Sequence, residues 1–289
     1  MALDLYLQAI GATYAIAKQT ERYYDLFGSI GFITASIYSL YAPYIRAAPN
    51  TAFLTKGSLP AFPPPISAFH PRQLLMTSLT VLWAARLGSF LFARISKSDG
   101  KDSRFDGLRE SPLKFAGAWA AQATWISLTA LPLYMVNSIP RAAQPPLGAR
   151  DAIGLGLWLA SFLLEVTADR QKSAWRAAKK EGKHDEPFID QGLWSVVRYP
   201  NYLGEIGLHS AEYVLATTAL ARAAPYFSPG PALAAAALGP ISEALLIRYV
   251  SGVSMQEESN DKKFKDEPRW KAYKERTPVL IPFVGSTKS

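Results

Sequence analysis

Residues 192–215 read GLWSVVRYPNYLGEIGLHSAEYVL, and this stretch combines an apolar helix with polar groups that lipid cannot hydrogen-bond. Its polar positions Tyr202, Glu205, His209 and Glu212 are spaced so that all four lie on one helical face. A charged side chain at the bilayer centre costs about 3 kcal/mol. This face is therefore expected to point toward a protein interior or a wet cavity rather than toward lipid.

The rest of the chain alternates long uncharged stretches with short basic ones, which is the pattern of a polytopic membrane protein. Seven apolar segments are predicted to be helices, because open strands cannot satisfy their backbone in hydrocarbon. These segments are 2–17, 26–45, 74–95, 115–136, 151–168, 201–221 and 230–252. The fold class predicted is all-α, a transmembrane helical bundle of about seven helices in a single integral membrane domain, 1–289.

The charge distribution predicts the orientation of this bundle. The chain carries 31 Lys and Arg against 23 Asp and Glu, and most of the basic residues fall in alternate connections. These connections are 18–25, 96–114, 169–200 and the tail 253–289. The positive-inside rule places them, and with them the C-terminus, in the cytosol. The net positive charge is thus a topology signal, and no nucleic-acid binding is expected.

Composition excludes several kinds of chemistry. The chain has no cysteine, so disulfides, thiolate zinc sites and thiol nucleophiles are excluded. Its histidines, His70, His184 and His209, are far apart in sequence, and no metal site is predicted. The sequence indicates no protein partner, and the expected surroundings are membrane lipids.

A second polar stripe begins on the predicted segment 151–168 and continues beyond its end. It consists of Glu165, Asp169, Lys172 and Arg176, again at helical spacing. Both stripes are open to two interpretations: interhelical salt bridges that hold the bundle together, or a ligand site reached from the basic loop.

The residues around the start of the predicted segment 201–221 favour a ligand site. Arg198 and the exposed N–H groups at a helix start concentrate positive potential, which suits a phosphate. Trp194, Tyr199 and Tyr202 place aromatic rings among these polar groups. Such a mixture suits a flat ring attached to a charged chain better than it suits lipid.

The string GLWSVVRYPNYLGE resembles the signature GLW…RHPNYxGE of a steroid 5α-reductase-like family of membrane proteins, in the branch labelled as a domain of unknown function. Further blocks of similar type follow the family's order: ERYYDLFGS, LWAARLGSFLFARI with GKDSRFDG, EVTADRQK and WKAYKERTPVLIP. One departure is that Tyr199 stands where the family usually has histidine, so a role of that histidine does not carry over.

The resemblance implies a cytosol-facing cavity in the C-terminal half, 151–289, which holds NADPH, while 1–150 supplies the N-terminal helices. It also implies that a lipophilic, sterol-like enone enters from the bilayer and that its carbon–carbon double bond is reduced. The residues expected at the cofactor, including the three aromatic residues noted above, are Asp169, Gln171, Lys172, Trp194, Arg198, Tyr199, Asn201, Tyr202, Glu205, Tyr273 and Arg276. If the source is eukaryotic, the endoplasmic reticulum membrane is the expected location.

The proton donor of such a reaction is open among Tyr24, Asp25, Glu21 and Tyr202, since a buried tyrosine or protonated carboxyl can donate to a developing enolate. A rival interpretation is a lipid or isoprenoid methyltransferase that uses S-adenosylmethionine, because those enzymes share a related C-terminal motif. The other rival is a membrane protein that keeps the fold without catalysis.

Overall fold

The computed structural model describes residues 2–54, 63–97, 100–224 and 226–282, and in these ranges it contains helices and no strand. The helices are α1 (Ala2–Lys18), α2 (Tyr24–Leu54), α3 (Pro71–Ser96), α4 (Pro112–Thr129), α5 (Leu131–Ser138), α6 (Ala149–Lys180), α7 (Pro200–Leu220), α8 (Pro229–Leu245), α9 (Val253–Lys263) and α10 (Pro268–Arg276). The prediction of an all-α helical membrane bundle is confirmed.

In the described residues, four stretches of helix are long and apolar enough to cross a membrane, and the chain is a membrane protein. They are Tyr24–Arg46, Pro71–Ser96, Ala149–Lys180 and Pro229–Lys263. The other predicted segments are also helical in the described part of the chain, but they are shorter or more polar. That the remaining predicted segments also cross the membrane stays a prediction.

Proline breaks one predicted segment, 115–136, into α4 and α5. Pro132 lies in the first turn of α5, and the chain turns at Ala130. Proline has no N–H to donate and its ring clashes with the carbonyl four residues earlier, so a helix does not continue through it without a kink or break. The segment is therefore two helices joined at one residue.

Helix α6 is longer than predicted, since it continues from the expected end at residue 168 to Lys180. Alanine, lysine, arginine and glutamine favour helix, and nothing in 169–180 interrupts it. Gly182 adopts φ +71° and the N–H of Lys183 donates to the Ala178 carbonyl at 3.0 Å. This glycine-dependent cap ends the helix.

The chain forms two compact units. Unit 1 consists of Met1–Asp151 and Tyr213–Gly239, and unit 2 of Ala152–Glu212 and Pro240–Ser289. The first boundary falls where the sequence separates the N-terminal helices from the C-terminal half. Residues 213–239 nevertheless belong to unit 1, so the chain passes between the units three times.

Buried polar contacts tie the helices of unit 1 together. Arg72 is fully buried at the start of α3, and its guanidinium donates to both carboxylate oxygens of Asp151 at 2.7 and 3.0 Å. Gln122 on α4 donates to Gln8 on α1 at 2.7 Å, and Gln8 donates to the Phe27 carbonyl at 3.1 Å. These bonds satisfy groups that would be costly to leave unpaired in an apolar interior.

In unit 2, α6 and the first half of α7 cross at very short range. A Cβ placed on Gly204 would lie 2.7 Å from the Ser161 carbonyl oxygen and 2.8 Å from the backbone nitrogen of Glu165. Small residues allow this approach of two backbones, as is common between helices in membranes. The crossing buries Glu165 and His209, whose side chains are 2% and 1% exposed, as expected of the two polar stripes.

We predict that Gly204→Ala destabilises the protein by about 1–3 kcal/mol, because the added methyl overlaps backbone atoms of α6 that cannot rotate away. The matched control is Gly156→Ala on α6, where a Cβ would meet no atom within 4 Å. Thermal unfolding in detergent compares the two variants. Equal midpoints for both would show that the helices do not cross at Gly204.

Candidate functional site

Trp194 is the centre of the candidate site in unit 2. Its ring is 2% exposed, and its indole N–H donates to the Ala168 carbonyl on α6 at 3.1 Å. Its own carbonyl accepts from the Tyr273 hydroxyl on α10 at 2.5 Å, and the Lys172 ammonium lies 4.4 Å from its ring centroid. Three segments that are distant in sequence therefore meet at one residue, Trp194.

Gln171 and Gly192 hold the start of the Trp194 loop against α6. The Gln171 side-chain oxygen accepts from the N–H of Leu193 at 3.0 Å. Gly192 adopts φ +61°, and a Cβ there would lie 2.8 Å from the same oxygen. Only glycine allows this backbone conformation and this contact together at low cost.

Arg198 is 5% exposed and its guanidinium is bound by protein acceptors. It donates to both oxygens of Glu257 at 3.1 and 3.0 Å, and to the carbonyls of Lys274 and Thr277 at 3.0 and 2.7 Å. These bonds occupy four of the five N–H donors of an arginine. The sequence predicts a phosphate contact for Arg198, but in the structure this residue anchors the C-terminal tail.

The same tail is also held through the backbone. The N–H groups of Arg198 and Tyr199 donate to the carbonyls of Pro278 and Val279 at 2.8 and 3.2 Å. The Tyr199 hydroxyl donates to Glu257 at 2.6 Å. Burial, and then the charge of Glu257, raise the pKa of Tyr199 well above its usual range, so this phenol stays neutral.

The first two turns of α7 carry the predicted residues Asn201, Tyr202 and Glu205, and all three side chains are partly buried. Tyr202 stacks on Tyr199 with ring centroids 5.8 Å apart. The side-chain oxygen of Asn201 is buried and has no hydrogen-bond partner among the described residues. An amide oxygen of this kind can accept a hydrogen bond from a ligand donor.

The remaining predicted cofactor residues of unit 2 differ in their exposure to solvent. Arg276 is exposed, donates to Asp190 at 2.7 Å and lies 5.6 Å from the Tyr273 ring centroid. Burial raises the pKa of Tyr273 above its usual range. Asp169 is 7% exposed on α6. All eleven residues expected at the cofactor therefore belong to unit 2.

A cleft of about 500 Å³ opens beside this site in unit 2. Gln171 and Gly192 line it and also contact the Trp194 loop. Its other walls come from the C-terminal half of α6 and from the loop that follows: Ala174, Trp175, Ala178, His184, Ile189 and Gln191.

The candidate proton donors Tyr24, Asp25 and Glu21 lie in unit 1, where each is already engaged. The Tyr24 hydroxyl donates to the Ala118 carbonyl at 2.8 Å. Asp25 accepts two hydrogen bonds from Arg104, at 3.0 and 2.8 Å. Glu21 accepts from the N–H of Asp102 at 2.7 Å and pairs with Arg109 at 3.2 Å.

The loop 100–107 completes this cluster of unit 1, a role that its sequence does not reveal. Burial by itself raises the pKa of Asp102, but the hydrogen bonds and charge of Arg104 outweigh it and leave that pKa below its usual value. The loop composition, rich in charge and glycine, predicts only a solvated connection. Its anchoring to the start of α2 requires contacts 79 residues apart, as between Arg104 and Asp25.

Glu257 is the residue of unit 2 that sequence reasoning missed. It lies 59 residues after Arg198, in a charged stretch whose spacing resembles that of any solvated helix. No local pattern in 253–263 singles it out from Glu258 beside it. Only the tertiary contact with Arg198 and Tyr199 distinguishes the two.

We predict that Arg198→Gln destabilises the protein by about 2–4 kcal/mol, because it removes the cationic partner of Glu257 and the donor of two carbonyls. The released tail should also become sensitive to trypsin at Lys271 and Lys274. The matched control is Arg269→Gln, which removes an exposed pair with Glu186 and should leave the unfolding midpoint unchanged. Equal protease resistance of both variants would contradict the anchoring role of Arg198.

A family model described as "Protein of unknown function (DUF1295)" matches residues 15–277, which is most of the chain. No curated protein and no solved structure matches the chain.

Proposed function

The chain belongs to the DUF1295 family, and we propose that it is a membrane-embedded, NADPH-dependent reductase. The proposed reaction saturates a carbon–carbon double bond conjugated to a carbonyl in a lipophilic, sterol-like substrate. The resemblance of RYPNYLGE and its companion blocks to steroid 5α-reductase-like proteins supports the cofactor and the reaction type. We further propose that the basic connections and the C-terminus face the cytosol, and that in a eukaryote the membrane is the endoplasmic reticulum.

One observation carries the proposal: residues that the resemblance assigns to the cofactor, from three separate segments, meet around Trp194. Lys172 covers its ring, Gln171 holds its loop and Tyr273 binds its carbonyl. A purely structural bundle requires no such assembly of aromatic, amide and cationic groups at the end of a helix. A dinucleotide requires each of these groups, for its rings, its amide and its phosphates.

The Asn201 side chain supports the fit of NADPH to this site. Its buried, unpartnered oxygen can accept from a carboxamide N–H or a ribose hydroxyl, both of which the cofactor carries. The N–H groups at the start of α7 and the ammonium of Lys172 provide positive potential for phosphate. Because Arg198 is committed to Glu257 and the tail, we assign the phosphate contact to these groups instead.

Saturation of the double bond adds a hydride and a proton to the substrate, and NADPH, when bound, supplies the hydride. The chain must orient the cofactor, exclude water and provide the proton. Among the candidate acids, Tyr202 lies in unit 2 on the same turn as Asn201, whereas Tyr24, Asp25 and Glu21 lie in unit 1. We therefore propose Tyr202 as the donor whose hydroxyl stabilises charge that develops on the substrate carbonyl oxygen.

We predict that NADPH protects the purified protein from heat and that Asn201→Ala weakens this protection. At a concentration a hundred times the dissociation constant, a ligand stabilises by about 2.7 kcal/mol. Asn201→Ala removes an acceptor that has no partner, so the ligand-free protein should keep its midpoint while its NADPH affinity falls about tenfold. Glu205→Gln should also weaken NADPH binding. Its control is Glu258→Gln, which removes an exposed ion pair with Lys262.

Unchanged NADPH affinity in both Asn201→Ala and Glu205→Gln would show that the cofactor does not bind at this position. Heat protection by S-adenosylmethionine and not by NADPH would favour the methyltransferase. Turnover is tested with NADPH deuterated at the transferred hydride and a panel of sterol, fatty-acyl and isoprenoid enones. Deuterium at the β-carbon of one product supports reduction, while binding without turnover of any substrate favours a non-catalytic protein.

A further inference from the structure

The cleft beside the Trp194 loop contains a histidine whose neutral tautomer follows from the carbonyl oxygen beside it. The Nε2 atom of His184 lies 2.9 Å from the carbonyl oxygen of Trp175. A carbonyl oxygen only accepts, so in the neutral ring Nε2 carries the hydrogen and Nδ1 carries a lone pair. The Nδ1 atom is buried and has no hydrogen-bond partner in the part of the chain that the structure describes. His184 thus holds one buried acceptor that no described residue satisfies.

The wall of the cleft around His184 is partly aromatic. The rings of His184 and Trp175 are 5.0 Å apart between centroids, and the ammonium of Lys179 lies 5.4 Å from the Trp175 ring. Gln191 and Gln171 place amide groups at the same cleft. Aromatic walls with a few convergent polar groups are typical of sites for planar ligands.

The size and position of the cleft limit the ligand. Its volume of about 500 Å³ admits a heteroaromatic base with part of its sugar, but it does not enclose a whole dinucleotide. It shares Gln171 and Gly192 with the Trp194 site, so one extended ligand can occupy both. The basic residues Lys172, Arg176 and Lys179 follow the same stretch of α6 and favour a ligand with phosphates.

We propose that this cleft binds the adenine base of the cofactor and that the Nδ1 atom of His184 accepts a hydrogen bond from the exocyclic amino group of adenine. The inference rests on the proposed function, since it assigns one end of NADPH to a particular part of unit 2. An adenine amino group satisfies a buried acceptor, whereas the keto oxygen that replaces it in hypoxanthine repels the lone pair. The cleft should therefore distinguish the two bases.

The test compares adenosine 2′,5′-bisphosphate with its inosine analogue, and NADPH with its hypoxanthine analogue, on the full chain in lipid nanodiscs. Binding is measured by the shift of the thermal midpoint and by quenching of tryptophan fluorescence. The adenine ligands should bind about tenfold more tightly, because an unsatisfied buried acceptor costs one or more factors of ten in affinity.

Two substitutions distinguish the contributions of the two ring nitrogens of His184 to binding. His184→Gln keeps a donor near the position of Nε2, so the contact with Trp175 persists, but it removes the acceptor at the Nδ1 position. His184→Asn keeps an acceptor near the position of Nδ1. We expect His184→Gln to bind adenine and hypoxanthine ligands equally, and His184→Asn to retain most of the preference. The ligand-free midpoint of each variant reports whether the loop is still folded.

The outcomes distinguish the inference from the proposed function. If the wild-type protein binds NADPH and its hypoxanthine analogue equally, the adenine site is wrong and the reductase proposal stands. If it prefers adenosine bisphosphate over the inosine form but does not bind NADPH more tightly than the bisphosphate, the purine site stands and the reductase proposal fails. Retention of the preference by His184→Gln overturns the role of Nδ1, and absence of binding by all four ligands overturns both proposals.

Discussion

Glu257 receives three hydrogen bonds from Arg198 and Tyr199, and the organisation of the candidate site depends on this contact. A guanidinium that is 5% exposed has to be satisfied, since an unpaired buried charge costs several kcal/mol. Arg198 meets this requirement by binding α9 and the carbonyls of Lys274 and Thr277 at the end of α10, which positions the tail. The tail then brings Tyr273 to Trp194, whose loop contacts Lys172 and Gln171 on α6.

The surrounding bilayer explains why so many polar groups of this chain are buried. In hydrocarbon no solvent can satisfy an amide or a carboxylate, so each is paired inside the protein or serves a ligand. Unit 1 follows the first course, with the Arg72–Asp151 pair and the Gln8–Gln122 bond. Buried atoms with no hydrogen-bond partner among the described residues occur in both units: one side-chain oxygen each of Asp4 and Asn137 in unit 1, and one atom each of Asn201 and His184 in unit 2. Of these, we assign the atoms of Asn201 and His184 to a ligand.

Periodicity and hydropathy predicted the apolar helices of this fold, because both depend on neighbours within a few turns, but they did not predict α9 and α10 in the tail. The stripes of Glu165 and His209 were expected to face protein, and both side chains are buried. The break at Pro132 follows from a proline that a hydropathy window averages away. The partner of Arg198 could not be predicted, since Glu257 is 59 residues away and resembles its neighbours. The free nitrogen of His184 likewise depends on the Trp175 carbonyl, which only the folded loop brings near.

A structure of the chain in lipid with NADP⁺ bound is the measurement that tests the central claim most directly. The account predicts density for one dinucleotide within unit 2, with a donor of the ligand at the Asn201 oxygen and the Arg198–Glu257 contact unchanged. Density for the cofactor elsewhere, or an Arg198 guanidinium that has left Glu257 to bind phosphate, would contradict it.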